Sequence, residues 1–503
     1  MELELKQTSM PYLKCIVQEI KNQEETGETI VPDSYPDIGS VVHAYADAII
    51  RGKDCRNGSI TVSGGCKGGI IYDPEDHSAP KTLEFYFPFT MKTEHPGLSE
   101  QSKSICEIKV RSVDGRMINS RKAMLRVDLG CSIRAFEETQ ENFFSLSDKP
   151  DTLQTLEQTY TLCLPVAVSE KSFVVSDTLD IPMSKAPLSS ICKFICQAQI
   201  SEKKLVGNKG VFKGTVSCKL LYSSDDLNFY VHEQQIPFSQ YCEFDHDHSD
   251  EQLDVIPVIT GYHIEPEGHE EIRQALVTVH ILVQGCVHAN RMITITEDAY
   301  STQELFTPQW TEHHITSVLD RRSDHMSTHH QLKGSLNEII DCDMYLGHPM
   351  IHRTKDEIHI DAPVAVQIFG LNEEGQPSCI TGKVEASQTL ALSENAHCIA
   401  NVVALGPCYP SLKQDGVDVR CELVCDSEFY AEQALKSLSA GETEPVPERE
   451  VDSASVILKK VRKGTKLWDI AKAHNSREDV IISANRLTDH SLQEDRVLLI
   501  PVG

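Results

Sequence analysis

Apolar and polar residues alternate along several stretches of this chain, among them Leu125-Arg126-Val127-Asp128-Leu129, Val277-Thr278-Val279-His280-Ile281-Leu282-Val283 and Val417-Asp418-Val419-Arg420-Cys421-Glu422-Leu423-Val424-Cys425. Alternation with period two puts the apolar side chains on one face of an extended backbone, so each stretch predicts a half-buried β-strand. Turn pairs such as Asn57-Gly58 and Asp114-Gly115 fall between such runs and suit tight hairpins.

The pattern recurs. Shifted by 150 positions, the apolar places of 41–50 fall on those of 191–200, Pro32 falls on Pro182, and Ile70-Ile71-Tyr72 falls on Leu220-Leu221-Tyr222. Both copies run on past a polar turn into a segment with Pro-Phe at its end, Phe87-Pro88-Phe89 and Ile236-Pro237-Phe238. Shared order over such a distance indicates a duplicated domain and not a short solenoid unit. A weaker third copy runs through Asp356-Glu357-Ile358-His359-Ile360 and Val366-Gln367-Ile368-Phe369-Gly370 to the polar turn 371–375, without the Pro-Phe signature.

These repeats predict a mainly β chain of three tandem antiparallel domains, sandwiches or barrels. The first occupies 1–140 with its N-terminal segment, the second 179–300, and a degenerate third 338–434. The polar stretches 141–178 and 301–337 are expected to be irregular or helical connectors, and the acidic, proline-punctuated 435–454 a flexible linker.

The period then changes. After Val456-Ile457-Leu458-Lys459-Lys460-Val461 and a glycine turn, apolar or half-apolar residues at 467, 470, 471 and 474 have the spacing of one helix face. A second helix is expected with Ser476 as N-cap, Glu478 and Asp479 in its first turn, and Val480, Ile481 and Ala484 inward. Val497-Leu498-Leu499-Ile500-Pro501 closes a small βααβ unit over 455–503.

Composition narrows the classes. The chain has 503 residues and a net charge of −28, a field that repels phosphate backbones and argues against nucleic acid as a partner. No run approaches the ~18 apolar residues of a membrane span, and no basic-then-apolar leader opens the sequence, so a cytosolic protein without a transmembrane segment is expected. Seventeen cysteines, an odd number without a CxxC pair, read as reduced core residues.

Gly464, Leu467, Trp468, Ile470, Ala471, Asn485, Ile500 and Pro501 follow in the order and spacing of a LysM domain, which this segment resembles. Two departures stand out: the usual Gly-Asp-Thr turn is Gly464-Thr465-Lys466, and the glycine before the last strand is replaced around Glu494-Asp495. In LysM domains that hold chitin or peptidoglycan these loops contact the sugars. The resemblance therefore offers Lys463, Gly464, Thr465, Lys466, Trp468, Asn485 and Arg486 as partner- or glycan-binding residues, with Trp468 weighed more heavily as core.

The repeats resemble SPOCS domains of spore-forming bacteria, on Val31-Pro32-Asp33-Ser34-Tyr35-Pro36-Asp37-Ile38, Tyr72 and Phe87-Pro88-Phe89. Tandem SPOCS domains followed by one LysM is the layout of a spore-coat morphogenetic family. That resemblance implies a scaffold in the mother-cell cytoplasm, recruited to the forespore outer membrane surface and spore coat. It further implies that the LysM domain docks on the sporulation morphogenetic ATPase, with other spore coat proteins as further partners. The segment 451–503 carries nine basic against seven acidic residues, a mildly basic module on a body of net −30.

Chemistry is sparse. No GxSxG, P-loop or HExxH occurs, so no catalytic residue, cofactor or metal is assigned. His246-Asp247-His248, His313-His314 and His329-His330 lack a matching ligand pattern, and Asp33 and Asp37 read as turn caps. The alternative to a scaffold is a cell-wall protein holding peptidoglycan or a chitin-type glycan; a LysM-targeted hydrolase would need an acid/base or metal cluster that the repeats do not present.

Overall fold

The computed structural model describes residues 3–502 apart from 77, 147–149, 227, 269–270, 392–395, 446–454, 488–491 and 493. The first domain contains β1 (Leu5–Ile30), β2 (Ile38–Arg56), β3 (Ser59–Pro74), β4 (Lys81–Glu94), β5 (Lys103–Asn119) and β6 (Lys122–Leu146). They form two facing three-stranded sheets, β1-β6-β5 and β2-β3-β4, closed over a core that includes Tyr72, Phe89, Val127 and Leu129. The second domain repeats the plan with β7 (Leu153–Asp180), β8 (Ser190–Val206), β9 (Lys209–Ser223), β10 (Phe229–Glu243), β11 (Gln252–Glu267) and β12 (Gln274–Ser301), as sheets β11-β12-β7 and β10-β9-β8. The third follows with β13 (Glu304–Leu332), β14 (Glu338–Leu346), β15 (Met350–Arg353), β16 (Glu357–Leu371), β17 (Pro377–Ala391), β18 (His397–Ala404), β19 (Tyr409–Lys413) and β20 (Gly416–Pro445). A single pairing of Val318 with Cys163 joins its outer sheet to that of the second domain.

The duplication is visible atom by atom. The Tyr72 hydroxyl donates to the Pro36 carbonyl at 2.9 Å and the Tyr222 hydroxyl to the Ala186 carbonyl at 2.8 Å, partners displaced by the same 150 positions. A Cβ at Gly64 would collide with the Ile49 carbonyl and the Phe89 ring, and one at Gly214 with the Gln199 carbonyl and Phe238. The outer end of each phenylalanine ring thus fills the place beside its cross-strand glycine, where a Cβ would not fit. In the third domain the same register pairs Ala362 with Ala386, so small side chains on both strands replace the glycine–phenylalanine pair. This is why the Pro-Phe signature is missing there.

Three expectations are corrected. Residues 153–180 and 304–332 are strands β7 and β13, not connectors, and 122–146 is one strand across the expected boundary. Their polar look has a physical cause: each shows one face to solvent, and β13 pairs with β20 across all the intervening strands of its domain, so no local turn betrays it. Residues 435–445 of the expected linker complete β20, with Leu435 and Leu438 buried; the rest, 446–454, lies outside the described residues.

The three inner sheets meet where each domain's first inner strand bulges. The bulges in β2, β8 and β14 place His43, Lys193 and Asp341 at equivalent positions. Around them Val42, Cys192, Ile71, Leu221 and Phe369, with Ile340, form one apolar cluster drawn from all three domains. The Lys193 ammonium, 0% exposed, donates to Asp343 at 2.6 and 2.7 Å and to Asp341. Lys219 donates to the Cys342 carbonyl at 2.7 Å and pairs with both aspartates, and His43 Nε2 lies 3.0 Å from Asp343 Oδ2. Burial pushes the Asp343 carboxyl up, but Lys193 and Lys219 overcome it and hold the group well below the usual carboxylate range. Two ammonium groups thus face two carboxylates in a largely buried interface, where each depends on the others for compensation.

Lys193→Met should therefore lower stability by about 3–5 kcal/mol, the cost of stranding a buried partner charge, read as a lower urea midpoint. Because the Asp343 carboxyl is depressed, its contribution is present above its ordinary pKa of about 4 and lost as pH falls below it. The variant should accordingly lose less stability than the parent between pH 5 and 3, and an acid limb unchanged by the substitution would contradict the assignment.

Candidate functional site

Beyond the three domains, β21 (Val456–Val461), α1 (Leu467–Ala473), α2 (Glu478–Asn485) and β22 (Arg496–Pro501) form the expected βααβ unit. Gly464 turns the chain into α1 with φ +83°, a conformation L side chains rarely adopt. Leu467, Ile470 and Ala471 of α1 pack with Ile481, Leu498 and Ile500 into a small core that also takes in Tyr300 of the second domain. The second helix differs from expectation. Its N-cap is Arg477, and Ser476 is buried with its hydroxyl donating to the Pro501 carbonyl. Val480 and Ala484 are exposed while Ile481 is fully buried, so the inward face runs through Ile481 and the half-buried Ile482 and Asn485.

The loops carry the candidate residues. Lys463, Gly464 and Lys466 are exposed and Thr465 is half-buried. The Lys463 amide donates to Asp495 Oδ1 at 2.7 Å and the Gly464 amide to the Leu492 carbonyl at 2.8 Å, so the two loops close on each other. The departure at Asp495 noted in the sequence is thus a side chain holding the turn. Arg486 caps α2 in the left-handed region, φ +53°, with its side chain exposed. Asn485 plays a different part: Nδ2 donates to the Leu499 carbonyl at 2.6 Å and Oδ1 accepts from the Leu499 amide at 2.8 Å, which fastens α2 to β22.

Trp468 stands apart from the loops. It is 7% exposed, and its indole N–H donates to Asp298 Oδ2 at 2.8 Å, on β12 of the second domain. The Lys472 ammonium donates to the same carboxylate at 2.5 and 2.7 Å. Tyr300 meets the indole edge-on at 4.9 Å between ring centroids, and its hydroxyl donates to the Ser476 carbonyl at 2.8 Å. The unit is therefore seated on β12. Burial pushes the Asp298 carboxyl up, but hydrogen bonds from Lys472 and Trp468 outweigh it and bring the group below its ordinary value. Sequence reasoning missed Asp298 and Tyr300, since nothing near them marks a contact with a segment about 170 residues away.

Other conspicuous polar residues are structural ties. His313, on β13, contacts Glu141 at 2.8 Å and Ser437 at 3.0 Å, joining the first and third domains. Asp254, His288 and Glu428 come close enough together to suggest a metal centre. The Arg321 guanidinium occupies that junction, 3.2 Å from Asp254 and 2.8 Å from Glu428, and supplies the positive charge itself. Asp37 is not a simple turn cap: it pairs with Arg121 at 2.9 Å while Arg121 also donates to the Val31 and Tyr35 carbonyls at 2.9 and 3.0 Å. Arg273 holds the matching turn of the second domain through the Lys185 carbonyl at 2.8 Å.

Two family models match. That of the SipL SPOCS domain covers residues 187–265, which spans β8 to β10 and most of β11, and that of the LysM domain covers 460–501. No curated protein and no solved structure matches. The matched domains are scaffold and binding domains, and they fit a sporulation-related protein with a peptidoglycan-binding-type module. Among the described residues no helix is long and apolar enough to cross a membrane.

Asp298→Ala, made with Trp310→Phe so that Trp468 is the sole tryptophan, should shift the indole emission to longer wavelength as water reaches it. The lost charge-assisted hydrogen bond is worth about 1.5 kcal/mol, and the half-exposed Lys472 pair adds little. An unshifted spectrum would mean that Asp298 does not hold the module.

Proposed function

We propose that this SipL-like chain is a non-enzymatic scaffold of the bacterial endospore coat, whose LysM domain docks on the sporulation ATPase covering the forespore outer membrane. It works in the mother-cell cytoplasm, and its SPOCS-type domains offer surfaces to other coat proteins. The observation that carries this reading is how the LysM domain uses its recognition residues. Asn485 is committed to the Leu499 backbone, Trp468 to Asp298, and the Lys463 amide to Asp495. What the module offers a partner is an exposed basic rim of Lys463, Lys466 and Arg486. Such a rim suits an acidic protein surface, which it steers and orients more than it anchors.

The matched LysM family favours a second reading, in which the module holds peptidoglycan. The two loops that would contact N-acetyl sugars are closed on each other here, which speaks for a protein partner.

Affinity purification of the tagged chain from sporulating cells, with and without residues 451–503, separates the two. The ATPase should be recovered with the full chain and lost with the truncation. Lys463→Glu with Lys466→Glu should weaken recovery about tenfold, ~1.4 kcal/mol, in a protein of unchanged circular dichroism. Recovery of muropeptides in place of the ATPase would establish the wall-binding reading, and full recovery by the folded double variant would remove the basic rim from the contact.

A further inference from the structure

Most cysteines of the chain are separated core residues, but the third domain brings two sulfurs together. Cys408 Sγ lies 3.4 Å from Cys421 Sγ, and both are buried, at 7% and 0% exposure. Their place in the fold explains the approach. The β19–β20 ladder pairs Tyr409 with Arg420, so Cys408 and Cys421 are the next facing pair, just past its last rung. Directly opposed residues of antiparallel strands bring their Cβ atoms to about 4.5–5.5 Å, near the ~3.5–4.5 Å a disulfide needs. The remaining movement falls on the irregular segment 405–408, which is tied there by the Leu405 amide donating to the Glu422 carbonyl at 2.9 Å.

The pair is reachable. A cavity of about 650 Å³ opens where the three domains meet, lined by Asp47, Lys219, Tyr262, Cys342 and Cys408 among others. Cys408 thus forms part of the wall, with Cys421 directly behind it. The thiols also differ electrostatically from the rest. Burial pushes Cys66 and Cys106 up to about 12, whereas the contact with Cys408 brings the Cys421 thiol below its ordinary value, and contacts with Cys342 and Cys421 raise that of Cys408. A sulfur that shares its neighbour's proton is the more easily ionised, and the thiolate is the reactive form.

We propose that Cys408 and Cys421 are a redox-active dithiol, oxidised by hydrogen peroxide to a cross-strand disulfide that locks segment 405–408 onto β20. One sulfur of the pair, as thiolate, attacks a peroxide oxygen: the S–O bond forms, the O–O bond breaks, and hydroxide leaves to take up a proton as water. The second sulfur then attacks the resulting sulfenic acid; the S–S bond forms, the S–O bond breaks, and a second water departs. In sum two thiols lose two electrons and two protons, and one peroxide becomes two waters. Thiol–disulfide exchange with excess dithiol reverses such a bridge.

Peptide mapping of the full-length protein tests this. After graded hydrogen peroxide under native conditions, free thiols are alkylated in denaturant and the digest is analysed without reduction. Met183 and Met292, 80% and 75% exposed, serve as internal markers of oxidant dose through their sulfoxides. The expected result is a Cys408–Cys421 cross-linked peptide at doses that leave these methionines largely unoxidised, abolished by dithiothreitol. Cys342→Ser should retain it and Cys421→Ser abolish it. Alkylated Cys408 and Cys421 at doses that convert both methionines, or a Cys342–Cys408 link in their place, would overturn the proposal. The mapping of the unsubstituted chain stands even where a variant fails to fold.

Discussion

Charge neutrality at one buried point governs how the three β domains sit together. Lys193 and Lys219 of the second domain meet Asp341 and Asp343 of the third, with His43 of the first against Asp343. These residues lie on or beside the same strand bulge in each copy, and three identical copies could not have made the contact. Equal charges gathered around an axis repel, and equal neutral groups provide no electrostatic pairing. Divergence at that position into histidine, lysine and aspartate, completed by Lys219 and Asp343 nearby, lets duplicated domains recognise one another. Because the apolar cluster around it is drawn from all three, the ionic contact also sets which copy sits where, a specifying role that buried polar groups can have.

How much of this the sequence disclosed depends on how local each signal was. The duplication was legible because Tyr72 and Tyr222 each make the same hydrogen bond to a carbonyl 36 residues earlier, so both kept their identity. The third copy faded because Ala362 and Ala386 fill together the space that glycine and phenylalanine share unequally elsewhere. The βααβ unit was readable from Gly464, Trp468 and Ile500 within some forty residues, whereas its seat was not, since Asp298 is remote in sequence. The long strands β7 and β13 escaped notice for a related reason. Their polar outer faces interrupt the alternation, and their partners are supplied by distant parts of the chain.

The molecule divides into an acidic body of β domains and a small module with an exposed basic rim. The body's acidity and the module's slight positive charge are reconciled locally at Asp298, where one carboxylate serves both an ammonium and an indole. That arrangement fixes the orientation of the basic rim relative to the domains. Orientation is what a scaffold contributes: a partner met on one side is placed in a defined relation to anything met by the β domains.

The seat on β12 also has a mechanical side. This strand is 28 residues long, roughly 90 Å when extended, and it borders the first domain at Gln284 before reaching Asp298 and Tyr300. Its ladder with β7 runs nearly its whole length, with hydrogen bonds perpendicular to the strand. A pull transmitted to β12 along its own axis therefore loads these bonds together in shear, instead of opening them one after another like a zipper. In the proposed scaffold role the chain would meet tension of that kind, and β12, one of its long strands, lies where such force would enter.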